Sequence, residues 1–328
     1  MVNDREHKTF SQDPSAEVLT NYLRRNFPGA IYHSAYEAGF CGFSAHRELE
    51  AFGIRNIVVN PADIPTTDKE KRQKEDKRDS RKIAKSLKNG KLAAIYVPSK
   101  GMEEPRRLVR YRKTLVKEIS RHKCRIKSFI YFNGIKIPLE LDGPSKHWSG
   151  RFTQWLGEIE LSTAHGKMVL EDTLDTAELL RKKLLKVNRH LRQVGRNVEY
   201  AGKLRLLQSI PGIGLISSIT LLTEMGDILR FKNLDQLCPF VGLVPSTNSS
   251  GEKENVGRIT SRSNRFLLSI IIEAAWMASR KDPGLIYSYG KLCKRMKPNE
   301  AIIRIAKKLL NRIRYVMKNE TEYVHSVI

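Results

Sequence analysis

The first hundred residues alternate amphipathic stretches with short apolar runs. Ala16-Glu17-Val18-Leu19-Thr20-Asn21-Tyr22-Leu23 has helical spacing and closes at Pro28-Gly29. Ala30 to Tyr36 reads as a strand that delivers Glu37 to its C-terminal end, and a helix follows from Ser44 to about Phe52, stopped by Gly53. Ile54-Arg55-Asn56-Ile57-Val58-Val59 is then a compact buried strand ending at Asn60-Pro61. A helix over Arg78 to Asn89, with Ile83, Ala84 and Leu87 on one narrow stripe and Gly90 as its stop, leads to a short strand, Ala94 to Val97. Strand, helix, strand in this order predicts an α/β unit with a mostly parallel sheet over residues 1–100.

From Pro105 to Asn133 the period changes. Leu108, Leu115, Ile119, Ile126 and Phe129 recur at helical intervals on a basic background, and no proline falls between Pro144 and Pro211. Leu174, Leu180, Leu184, Val187, Leu191 and Val194 continue a near-heptad stripe. Residues 101–200 are therefore expected to be helical, either an antiparallel or coiled-coil pair or an ordinary bundle core. A third region, 201–328, opens with Leu206 to Gly214 followed by Ile216, Ile219 and Leu222, the pattern of a helix-hairpin-helix, and continues as mainly helical. Backbone amides at Gly212 and Gly214 can hold a phosphate in such a hairpin, or the glycines can serve packing alone.

Charge adds a partner to this outline. The 328 residues carry 59 Lys plus Arg against 35 Asp plus Glu, a formal net charge of +24. Such an excess favours a polyanion such as nucleic acid, through release of condensed counterions. With 40% hydrophobic residues the chain can bury several cores, so disorder is not the default. The four cysteines, Cys41, Cys124, Cys238 and Cys293, have no CxxC spacing, which suggests neither zinc nor disulfides and fits a reducing cytoplasm. No apolar run reaches membrane-spanning length, and Met1 to Lys8 lacks the apolar core of a signal peptide.

The chemistry-bearing residues fall in two stretches. Asp76 and Asp79 stand three apart, which places both carboxylates along one helix face, and Glu37 comes from a strand end. Three such oxygens suit one or two Mg²⁺ ions, which keep open positions for phosphate. The alternative is a solvated ion-paired face among Lys74, Lys77, Arg78, Arg81 and Lys82, in a run where Thr66 to Lys91 holds eleven basic and five acidic residues. The basic members Lys77, Arg78, Arg81 and Lys82 are the candidate phosphate contacts of this stretch.

Several motifs then agree in order. Tyr36-Glu37-Ala38-Gly39, Val58-Val59-Asn60-Pro61-Ala62, Asp76 to Ala84, Pro211-Gly212-Ile213-Gly214, Gly242-Leu243-Val244-Pro245 and Ser249-Ser250-Gly251 together resemble the DEDD transposases of bacterial insertion sequences, in the insertion-sequence one-ten branch. The resemblance runs from about His7 to Val316. It implies a RuvC-like domain of the RNase H type, a helical or coiled-coil middle, and a C-terminal transposase domain bearing a serine. It also implies recombination of DNA through a covalent protein–DNA intermediate, divalent metal, a noncoding bridge RNA and a homo-oligomer. On this resemblance Glu37, Asp76 and Asp79 are the second to fourth acidic residues of the DEDD set, and Ser250 takes the position of the nucleophile, with Ser249 one place away. Without it, Thr247 to Gly251 is equally an ordinary surface turn. Lys253, Arg258, Arg262 and Arg265 follow closely and can stabilise charge on a reacting phosphate.

One part of the pattern is missing. The first aspartate of such proteins lies on an apolar opening strand, whereas Met1 to Lys8 is polar and only Lys8-Thr9-Phe10 matches the end of that region. Asp4 and Asp13 lack apolar flanks and are not candidates. The expectation is a chain shortened at its N-terminus, or a decayed transposase with weakened Mg²⁺ binding.

Overall fold

The computed structural model describes residues 8–65, 76–143, 145–250, 253–260 and 263–325, and the side chains of 246–250 and 253–258 are not among the described atoms. The chain forms two compact units, Met1–Ser99 and Lys100–Ile328.

In the first unit, helix α1 (Ala16–Asn26) is capped by Ser15, whose hydroxyl accepts from the Val18 amide. Strand β1 (His33–Glu37) runs parallel to β2 (Arg55–Val59), in register from His33 opposite Arg55 to Glu37 opposite Val59. Helix α2 (Ser44–Ala51) makes the crossover between them. The β-branched run of β2 is buried at Val58 and Val59, while β1 is half-buried. Helix α3 (Asp76–Lys88) packs against β1. The sequence pattern thus predicts strand, helix and strand correctly. The strand expected at Ala94 to Val97 shrinks to a single antiparallel bridge, Ala94 to Val59, with the Ile95 amide donating to the Val58 carbonyl at 2.8 Å.

Two helices of 33 residues dominate the second unit, α4 (Lys100–Phe132) and α6 (Ala164–Arg196). They lie antiparallel: Val109 and Leu115 share one apolar cluster with Val187 and Leu191, and Ile126 and Ile130 share another with Leu170. The second cluster, at the far end, is closed by Phe152 and Leu156 of α5 (Gly150–Glu158). Every position of the near-heptad stripe is spent on this packing, since Leu180, Leu184 and Val194 rest on the first cluster and Leu174 on the second.

Helix α4 begins before Pro105 rather than at it. Proline cannot donate the bond owed to the carbonyl four residues back. That carbonyl, on Gly101, instead accepts from the Tyr200 hydroxyl at 2.6 Å. The remaining elements are α7 (Val198–Gln208), α8 (Leu215–Met225), α9 (Leu234–Val241), α10 (Arg265–Ala278), α11 (Pro283–Cys293) and α12 (Pro298–Asn319). Asn197, Asn233, Asn264 and Asp282 cap four of them through side-chain oxygens. Helix α12 supplies Ile305, Leu309, Leu310 and Ile313 to the larger core, each wholly buried.

The C-terminal region is not purely helical. An antiparallel hairpin, β3 (Pro245–Ser250) and β4 (Lys253–Ile259), interrupts it where a turn within helices was expected. Its first strand is rich in Ser and Asn, which carry little β propensity, and the pairing runs from Pro245 opposite Ile259 to Ser250 opposite Lys253.

Candidate functional sites

The first site is a groove of about 800 Å³ along β1, walled by Leu19 and Leu23 of α1 and by Ile83, Ala84 and Leu87 of α3. Ser34 and Tyr36 turn toward α2: the Asn56 amide donates to Ser34 Oγ at 2.7 Å, Asn56 Oδ1 meets His46 Nδ1 at 2.8 Å, and Tyr36 Oη donates to the Gly42 carbonyl at 2.9 Å. Burial raises the Tyr36 pKa, so this hydroxyl stays a donor at neutral pH. By the alternation of a strand, Ala35 and Glu37 then belong to the opposite, groove-side face.

Glu37, Asp76 and Asp79 all line this one groove. They do not close into a metal cage: among the described residues no group of three His, Cys, Asp or Glu stands close enough to hold an ion. Asp79 is ion-paired with Lys82 at 3.4 Å, one turn along α3. The salt-bridged face is thus realised at Asp79, while the three carboxylates share the lining of one groove without forming a cluster. Their hard oxygens are the donor type that suits Mg²⁺. Lys77, Arg78 and Arg81 are exposed on α3, and Lys82 is half-buried.

The second site lies at α7, the turn after it, and α8. Gly212 has φ +87°, and a Cβ there would overlap the Ala274 carbonyl oxygen of α10. Glycine is required at this position by conformation and by close backbone approach. Gly214, by contrast, is exposed, opens α8 without a side-chain cap, and has open space around its Cα. Arg265 is exposed at the first position of α10. Backbone pairing sets Ser250 opposite Lys253 and Ser249 opposite Glu254, so both serines flank the tip of the β3–β4 hairpin. The side chains of Ser249, Ser250 and Arg258, and Arg262 as a whole, lie outside the described residues.

The sequence reading did not single out a third arrangement. Glu224, wholly buried in α8, receives Arg106 Nε at 3.1 Å and Nη2 at 2.9 Å, Arg110 Nε at 2.6 Å and Nη2 at 2.9 Å, and the Asn264 amide at 2.9 Å. Burial pushes this carboxyl up, but the hydrogen bonds and charges of Arg110 and Arg106 outweigh it and hold the pKa at about 2. The available signal was a lone acid inside the apolar run Leu215 to Met225, together with arginines four apart on α4.

Comparison with known proteins covers both regions. Residues 34–132, which include Glu37, Asp76 and Asp79, match the IS110-type DEDD transposase family, and residues 204–291, which include the serine hairpin, match the family described as Transposase IS116/IS110/IS902. Two proteins of Sinorhizobium fredii (strain NBRC 101917 / NGR234) with transposase names are similar. One, y4rJ, is 31% identical over 87% of this chain and 76% of its own length, and the other, y4qE, is 29% identical over 74% of this chain and 57% of its own. The transposase for insertion sequence element IS1111A of Coxiella burnetii is 27% identical over 72% of this chain and 63% of its own length. The chain thus spans between about half and three quarters of these relatives. The class common to all of them is the transposases. Within it, the chain belongs to the IS110 family.

Among the described residues no helix is long and apolar enough to cross a membrane.

Proposed function

We propose that this chain is a DNA transposase and site-specific recombinase that joins itself to DNA through a hairpin serine, Ser250 with Ser249 as the alternative. The observation that carries the reading is the coincidence of two residue groups with the two family matches: three carboxylates on one groove in the first, two serines at a hairpin tip in the second. In this reading the first unit is the RNase H-like, RuvC-type domain. The serine oxygen attacks a backbone phosphorus, its proton passes to a base, and one bridging oxygen leaves as the free end of the cut strand. That end, or its counterpart from a second duplex, reverses the reaction and completes exchange without an external energy source. Glu37, Asp76 and Asp79 are the residues that would hold a divalent cation such as Mg²⁺, which supplies Lewis acidity toward phosphate when bound.

Phosphate positioning falls to the exposed Lys77, Arg78 and Arg81 in one unit and to Arg265 and the uncapped amides at Gly214 in the other, with Arg258 and Arg262 as further candidates. Gly212 shapes the turn, and its amide remains a candidate contact beside that of Gly214. A noncoding bridge RNA held on the basic helices, assembly as a homo-oligomer, a helix-hairpin-helix role for α7 and α8, and an intracellular location complete the proposal, each carried by the family resemblance and the +24 charge.

The test is covalent trapping on labelled insertion-element ends. An adduct lost in Ser250→Ala and kept in Ser249→Ala supports the assignment, the reverse pattern moves it by one residue, and an adduct that survives both substitutions removes it. The ion pair between Lys82 and Asp79 favours a second reading, a catalytically silent nucleic-acid-binding protein, which predicts salt-sensitive DNA binding and no adduct. Cleavage that survives Ser250→Ala but not Asp76→Asn would mark a junction nuclease instead.

A further inference from the structure

The serine hairpin is rooted in a small, tightly specified frame. Helix α9 ends at Gly242, which has φ +97° and donates to the Cys238 carbonyl at 2.8 Å. A Cβ at Gly242 would overlap Ser263. The two legs of the hairpin meet just beyond, where the Thr260 amide donates to the Val244 carbonyl at 3.1 Å, and the Asn264 amide donates to the Phe240 carbonyl at 3.1 Å. Asn264 therefore stands where the returning strand becomes helix α10.

Its side chain is used at both ends. Oδ1 accepts from the Phe266 and Leu267 amides at 3.1 and 3.2 Å and caps α10, while Nδ2 donates to Glu224 Oε2 at 2.9 Å. Glu224 is itself held by Arg106 and Arg110, so one chain of polar contacts runs from α4 through α8 to the foot of the hairpin. A cap needs only the accepting oxygen of Asn264. The donor end is aimed at a buried carboxylate that two guanidinium groups already satisfy. Stability alone does not call for this bond, since a serine or aspartate would cap as well.

We propose that Glu224 is a positioning residue: through Asn264 it fixes the direction in which the β3–β4 hairpin leaves the core, and so the place of the serine at its tip. The proposal rests on the serine reading above for its catalytic consequence, but the mechanical link stands independently of it. Misplacing a reacting oxygen by an ångström costs on the order of a hundredfold in rate while leaving binding through remote phosphate contacts intact.

The test uses the full chain in three variants. Glu224→Gln keeps the shape of the side chain but leaves one neutral acceptor where four donors now converge, which weakens its hold on the Asn264 amide. Asn264→Ser keeps a cap and is too short to reach Glu224. The double variant Glu224→Gln with Asn264→Asp restores one donor and one acceptor in reversed order. Each single variant is expected to slow adduct formation at saturating DNA by at least about tenfold, with half-saturating DNA concentration changed less than about twofold. The double variant is expected to recover most of the rate. Hydrogen exchange over residues 243–264 of the free protein follows the same order, faster in both single variants and restored in the double, with the core of α12 unchanged.

Wild-type exchange and wild-type rates in Asn264→Ser would overturn the proposal, as would a double variant that regains thermal stability without regaining protection of the hairpin. If the wild-type protein forms no adduct at all, the serine reading fails, and the exchange pattern alone decides whether the anchor exists.

Discussion

Two carboxylate sites in this chain have opposite characters. Along β1, Glu37, Asp76 and Asp79 face an open groove, and the one with a close ion pair, Asp79, keeps 27% of its side chain exposed. In α8, Glu224 has no exposed surface and is bound by two arginines and an asparagine. The first arrangement leaves lone pairs available to a ligand. The second accepts five hydrogen bonds from within the fold, four of them at Oε2, and is shut off from solvent. Acidic residues that look alike in sequence thus divide into those that can react and those that hold other parts still, and burial with full satisfaction makes the division.

The largest expected consequence is for stability. Glu224→Ala should cost about 3 kcal/mol, because it leaves the largely buried Arg106 guanidinium and the Asn264 amide without their acceptor, while the exposed Arg110 can turn to water. Denaturant unfolding of the second unit measures this, and a loss under 1 kcal/mol would erase the contrast with the groove.

Acid offers a second way to probe it. The folded pKa of Glu224, about 2, lies below its ordinary value of 4.5, so the stabilisation is fully present above pH 4.5 and is lost as pH falls through 2. That difference corresponds to about 3 kcal/mol. Glu224→Gln should flatten the acid limb of a pH–stability curve in this window.

Asp79→Asn should behave in the opposite sense, changing stability by less than about 1 kcal/mol while abolishing DNA strand cleavage. Unfolding and cleavage assays on one preparation check both halves. The smallest effect belongs to Lys82→Ala. Removing this half-buried partner should change stability by only about 0.5 kcal/mol, and should tighten divalent-ion binding to the groove as followed by calorimetry. Weaker ion binding in that variant would indicate that Lys82 organises the carboxylates rather than competing for them.

The groove was legible in the sequence because its parts obey local rules. Glu37 ends a short apolar strand, Asp76 and Asp79 open an amphipathic helix, and the intervening β2 is a buried β-branched run. Their placement around one cavity comes from the packing of α3 against β1, which the local pattern does not give. The Glu224 network was not legible because Glu224 lies more than a hundred residues from Arg106 and Arg110 and forty from Asn264, and tertiary packing joins them. The β3–β4 hairpin escaped for a different reason: Pro245 to Ser250 is polar and rich in turn formers, and its strand character comes from its partner rather than from itself. Conversely, Ala94 to Val97 has the composition of a strand but only one residue finds a bridge. The heptad stripe of α6 was legible as a stripe, while its partner, α4 of the same chain, was identified by the fold.

Arg106 and Arg110 lie near the start of α4, and the helix then runs on to Phe132. At about 1.5 Å per residue the whole helix is about 50 Å long, and the arm beyond Arg110, paired along its length with α6, about 33 Å. Such an arm converts angle into distance: a tilt of 5° about the arginines carries its tip through about 3 Å, close to the spacing of successive base pairs in a duplex. The bonds to Glu224 therefore help set the angle of this helix, and any change in that angle would be largest at the far tip.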